Sequence, residues 1–216
     1  MHTASSEAYV VVAGRGEVHT VTPEGTAADD LAPGTVLWFG PGTVHRLVNH
    51  GGLEITTVMQ NAGLPEAGDA VFTFPRAVLA DRAAYEAAAR LSQDAPEEER
   101  AALARARRDL AVEGYLELAA AGEDGGEALR EFHRLAAEIV RPRVEAWREI
   151  WREGVERETE LTRRQLASLE RGDPGAMAEA AVVRTEPLPG PRHFGMCGRL
   201  RKRRPRPSGG ADGPAR

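Results

Sequence analysis

HTASSEAYVVVAG (His2–Gly14) and GTVLWFGPGTVHRLVN (Gly34–Asn49) are the stretches on which the fold turns. Both are rich in β-branched and aromatic residues and are punctuated by Gly or Pro, the pattern of short strands ended by turns. Side chains alternate across a strand, so Glu7, Tyr9 and Val11 share a face. The GPG of Gly40–Gly42 turns the chain and delivers His45 near the start of the next strand, with Leu47 on its side and Arg46 facing away. His2 and Glu7, joined by His45 from the later strand, form a set of two imidazoles and a carboxylate. Such donors suit Zn, Fe, Ni or Mn better than Ca or Mg.

The spacing of these residues resembles the two motifs of the cupin superfamily. The family's first motif is a His-x-His pair, three or four residues, a Glu, six residues and a Gly. His2, Glu7 and Gly14 match its second half. The second motif is matched by Gly34, Gly42, His45 and Asn49, with the turn proline at Pro41. The resemblance covers residues 1–75 and implies a small antiparallel β-barrel of the jelly-roll type. It further implies that His2, Glu7 and His45 hold a divalent transition metal, Fe, Mn, Ni or Zn. The missing histidine of the pair would fall directly before Met1, so the resemblance also implies a natural start upstream, with an opening strand.

Charge is unevenly spread along the 216 residues, whose formal net charge is −5. Residues 1–75 carry Arg15 and Arg46 against eight acids, which argues against a nucleic-acid surface there. Cys197 is the sole cysteine, so no intramolecular disulfide is possible. No apolar run reaches the roughly 18 residues of a membrane span and no signal peptide opens the chain, which points to a cytoplasmic protein.

In chain order, Glu7–Ala13 and Glu17–Thr22 read as a hairpin closed by the GRG of Gly14–Gly16, and residues 22–34 as a polar loop. Strands are expected over Thr35–Phe39, Thr43–Asn49, Leu53–Gln60 and Ala70–Phe74. Beyond Pro75 the period becomes helical. Asp81 caps one helix, and the DAPE of Asp94–Glu97 has the form of a capping box opening a second, which is expected to end at the GEDGG of Gly122–Gly126. A third runs to Val140, and Pro142 kinks or restarts the chain into a fourth that reaches about Arg171. Val140, Val144, Trp147, Trp151 and Val155 form one apolar stripe, expected to be buried against the sheet, the barrel mouth or a second subunit. The basic tail from Arg199 is expected to be disordered.

The expected class is therefore α+β: a cupin-like β-barrel over residues 1–75, a helical region over 76–185, and an irregular segment with a basic tail over 186–216. Cupins include dioxygenases and isomerases, so the resemblance implies a metal-dependent protein acting on or binding a small organic molecule. The alternative is a metal-free small-ligand-binding or sensor module without catalysis. Tyr9 and Gln60 are candidates to contact the ligand, a core role being the plainer reading of Tyr9. His19 and His50 read as surface or structural, and His133 as solvated. His193 and Cys197 have the types but not the spacing of a zinc site. Beyond the small-molecule ligand, a homodimer is the one partner expected, with neither nucleic acid nor membrane.

Overall fold

The structure is a computed structural model that describes residues 1–92, 94–121, 125–196 and 198–207. It is mixed α+β, with antiparallel strands followed by helices. The chain divides into two compact units, Met1–Val155 and Glu156–Arg216.

The first unit is built on β1 (Glu7–Thr22), which runs unbroken for 16 residues. Along one edge it pairs with β4 (Val44–Met59), also 16 residues long. Along the other edge it pairs with β3 (Val36–Phe39) through its first half and β2 (Gly25–Leu31) through its second. Among the described residues these four strands do not close into a barrel, which corrects that part of the sequence reading: β2 and β3 pair with β1 alone, and no ladder joins them to β4.

The expected hairpin at Gly14–Gly16 is a bulge within β1. Gly14 takes φ +74°, and a Cβ there would lie 2.2 Å from the Gly52 carbonyl group, so the two strands touch backbone to backbone. The register slips at this point by a net one residue, from Glu7 opposite Met59 to Gly16 opposite Asn49. An extra residue reverses which alternate side chains face inward. Glu7, Tyr9 and Val11 face in before the bulge, and Val18 and Thr20 after it. The polar GTAADDL, expected as loop, forms β2, an edge strand exposed over six of its seven residues. Residues 70–74, expected as a strand, contribute one isolated bridge, His2 to Ala70.

Two apolar clusters follow from this sheet. Tyr9, Val11, Val18, Leu31 and Phe39 are buried on its inner face, flanked by half-buried Leu37, Leu47, Leu53 and Ile55. Val21 and Val44, on the opposite face, join Val71, Phe72 and Phe74 against the helices. Outward near the start of β1, Val10, Val12, Val36, Trp38 and Val58 make an apolar surface in which Trp38 is 73% exposed.

The helices of this unit are α1 (Arg76–Leu79), α2 (Arg82–Ala89), α3 (Glu97–Ala119), α4 (Gly125–Val140) and α5 (Val144–Trp151). Asp81 caps α2 as expected, accepting from the Ala83 and Ala84 amides. The capping box at Asp94 does not form: Pro96 holds the N-cap position of α3 without a side-chain bond. GEDGG lies partly outside the described residues. Gly114 lets α3 touch the chain at Thr73–Pro75, where a Cβ would meet the Thr73 carbonyl at 2.3 Å. Pro142 produces a 3-10 turn, Arg141–Arg143, between α4 and α5, and a π-helical turn, Arg152–Glu156, follows α5. The apolar stripe is buried in part only. Trp147 is enclosed and donates its indole N–H to the Ala67 carbonyl, whereas Trp151 is 41% exposed, because the packing partner is the short 61–69 loop rather than a broad sheet.

The second unit holds α6 (Arg157–Glu170) and two small ladders, β5 (Val183–Pro187) with β8 (Arg203–Pro207) and β6 (His193–Phe194) with β7 (Arg199–Leu200). The basic tail is thus strand-forming as far as Pro207, its alternate backbone groups paired with β5. Cys197 lies outside the described residues.

Candidate functional site

The inner face of β1 carries Glu7 between Phe39 on β3 and Met59 on β4. His45, opposite Thr20, reaches Glu7 from β4, with 3.1 Å between its Nε2 and Glu7 Oε2. His2, in the segment ahead of β1, places its Nε2 3.7 Å from the same oxygen. All three residues read from the sequence as a donor set therefore meet at one carboxylate oxygen. The side chains of Glu7 and His45 are no more than 9% exposed.

The opposite nitrogen of each ring is committed. His2 Nδ1 lies 2.6 Å from Asp69 Oδ1, and His45 Nδ1 lies 3.2 Å from the Thr43 carbonyl. An ionised carboxylate and a carbonyl can only accept, so both Nδ1 atoms carry the ring proton. In the neutral rings, both Nε2 lone pairs then face an anionic oxygen. Glu7 Oε2 is buried, and the 3.1 Å contact lacks the direction of a hydrogen bond. Lone pairs and a carboxylate repel unless a cation, a proton or a metal ion, lies among them.

Asp69 is the residue that sequence reasoning missed. Its side chain is fully enclosed, with Oδ2 accepting from the Ser5 amide at 3.0 Å. Burial pushes its carboxyl up, but the hydrogen bond to His2, the attraction of the His2 ring and hydrogen bonding at Ser5 outweigh that and hold it below the usual range. Glu7 behaves alike, raised by burial and lowered further by His45 and His2. Burial drives the His45 imidazole down, against the pull of Glu7.

His2 is also tied through its backbone. Its carbonyl accepts from the Gly42 amide at 2.9 Å, and the Thr3 amide donates to the Asp69 carbonyl. Around the site, Phe39 stacks on His45 with 4.6 Å between ring centroids, and Tyr9 meets Phe39 edge-on at 4.9 Å. Tyr9 thus packs in the inner cluster beside His45, and Gln60 is exposed, its amide oxygen 3.4 Å from the Ser6 amide.

Two further groupings lie outside this site. Glu17 bridges His19, at 2.7 Å, and His50, at 2.9 Å, on the outer face. His133, expected to be solvated, is half-buried and donates from Nε2 to the Gly42 carbonyl at 2.8 Å.

Among the described residues, no three His, Cys, Asp or Glu side chains stand already gathered as a metal-ligand group. The 3.7 Å separation of His2 from Glu7 is wider than a shared tetrahedral ion requires, since ligands about 2.1 Å from zinc lie roughly 3.4 Å apart. Yet the donor types, the orphaned Glu7 oxygen and the anchored rings suit such an ion after a small closing movement. No helix among the described residues is long and apolar enough to cross a membrane. Comparison with family models, curated proteins and solved structures finds no match to this chain. The class defined by fold and site is accordingly an α+β protein with a buried histidine–carboxylate cluster.

Proposed function

We propose that this chain is a cupin-like metal-binding protein whose inner site, His2, Glu7 and His45, takes one divalent transition ion, Fe, Mn, Ni or Zn, and binds a small organic molecule. One observation carries the reading: two imidazoles, each fixed at Nδ1 by an acceptor, present Nε2 to one buried carboxylate oxygen. Metal-ligating histidines characteristically donate their other ring N–H to a carboxylate or carbonyl in this way. When bound, the ion supplies a Lewis acid or a redox centre with open positions, the chemistry of dioxygenase- or isomerase-type enzymes. Asp69 holds the His2 ring in its tautomer, and Thr43 does the same for His45. Phe39, Tyr9 and the half-buried leucines exclude water and favour an apolar portion of the ligand. A cytoplasmic location and a homodimer belong to the same reading.

A second reading, ligand binding without metal, is favoured by the absence of a gathered ligand group among the described residues. Elemental analysis of the purified protein separates the two. About one transition ion per chain is expected, lost in His45→Ala, because removing one of three ligands takes most of a site's affinity. Equal metal content in wild type and His45→Ala would remove this site from consideration.

A further inference from the structure

His2 stands ahead of β1, on a segment whose ladder contact among the described residues is the single bridge to Ala70. Its orientation therefore depends on individual bonds. One comes from Gly42, whose N–H donates to the His2 carbonyl at 2.9 Å. Gly42 in turn accepts at its own carbonyl from His133 Nε2 at 2.8 Å. The same turn leads directly into β4, where His45 Nδ1 contacts the Thr43 carbonyl. A single grip on Gly42 thus bears on both imidazoles.

The grip is stiff at its helical end. His133 sits on α4 beside Phe132, and Leu129, Phe132, Ala136 and Ile139 of that helix are buried in the core. At the other end Gly42 takes φ +88°, the left-handed region, where an added side chain is strained. A Cβ there would stand 3.4 Å from His133 Nε2, so the ring fills the space beside the turn.

We infer that His133 is a positioning residue for the inner site, through which α4 holds the Gly42 turn and, by way of it, the His2 and His45 rings. The role concerns geometry and does not require His133 to touch ligand or ion. Its affinity readout rests on the metal reading above, and its structural readout does not.

The test uses the full chain as wild type, His133→Phe, which fills the space without a donor, and His133→Gln, which keeps an amide donor. In metal-free protein, hydrogen exchange at the Gly42 amide should quicken about tenfold in the Phe variant, the equivalent of one lost hydrogen bond, and return most of the way in the Gln variant. Cobalt(II) affinity, read from visible absorption, should fall about 10- to 100-fold in the Phe variant, as for loss of other outer partners of a metal site, and recover with Gln. Should the Phe variant not fold, His133→Asn, too short to reach the Gly42 carbonyl, takes its place with the same expectations. If wild type takes up no cobalt, the metal reading fails and Gly42 exchange alone decides. Unchanged Gly42 exchange, or, where wild type binds cobalt, an affinity equal in all variants, overturns the inference.

Discussion

The sheet carries two histidine–glutamate–histidine groupings, one on each face, and they behave as opposites. On the outer face the His19 and His50 Nε2 atoms approach different oxygens of Glu17 in ordinary hydrogen bonds, with side chains 27–49% exposed. On the inner face both Nε2 atoms converge on one oxygen of Glu7, in surroundings that exclude water, with Asp69 behind. The residue types are the same. What differs is which ring nitrogen is committed elsewhere and how much solvent is available to screen the charge. Outside, each ring nitrogen has its own carboxylate oxygen; inside, two ring nitrogens share one.

Asp69→Ala should break this contrast most severely. It strips the acceptor from both His2 Nδ1 and the Ser5 amide, two hydrogen bonds to a charged group worth about 1.5 to 3 kcal/mol each. Glu17→Ala on the outer face should leave the unfolding midpoint in place. Equal midpoints for the two variants in urea titration would abolish the distinction.

A smaller effect is expected at the bulge, which is what sends Glu7 inward and Glu17 outward although they are ten residues apart in one strand. Gly14→Ala places a Cβ against Gly52 at a left-handed φ. A loss of about 1 to 3 kcal/mol follows from the backbone strain alone. Thermal unfolding with the wild-type midpoint would show that the strands can part there without penalty.

Acid response should sharpen the comparison with the mildest change. The unfolded chain titrates near pH 4.3 for Glu, 3.9 for Asp and 6.5 for His. Glu7, Asp69 and His45 are all held below those values in the folded protein. As pH falls the unfolded state gains protons first, so each group contributes stability that is full above its unfolded value and lost as pH drops through its folded one. His45 should act below about pH 6.5 and the carboxylates below about pH 4. Melting temperature followed from pH 8 to 3 should therefore decline towards acid, and His45→Gln should flatten the upper limb. A variant with the wild-type slope between pH 5 and 7 would acquit His45. Glu17 is likewise held low, by its bonds to His19 and then His50, but solvent mutes its part.

Much of the inner face could be read in advance, because strand alternation links Glu7 to Tyr9 and Val11, and the GPG turn forecasts where His45 emerges. Asp69 could not, since it lies in a short Gly-flanked loop with no period, and its partner is 67 residues away. His50 and Glu17, 33 apart, meet through a register that only the bulge fixes. The bulge itself was hidden by its composition: two glycines around Arg15 have the chemistry of a turn as much as of a strand needing close backbone approach. β2 escaped because an edge strand exposed on both faces has no apolar alternation. The Trp147 and Trp151 stripe shows a helical period that was legible, whereas its partner within the chain was not: Trp147 is enclosed and bonds to Ala67 of the 61–69 loop, and Trp151 stays 41% exposed.

The tryptophans give the molecule an optical property. Trp38 stands open to water on the sheet, and Trp147 is enclosed with its indole N–H bonded to Ala67. Emission should accordingly contain a red, readily quenched component from the strands and a blue, shielded one from the helices, with Trp151 between them. Acrylamide should strip the first and spare the second, so loosening of each layer can be followed by colour in a single sample without any attached dye.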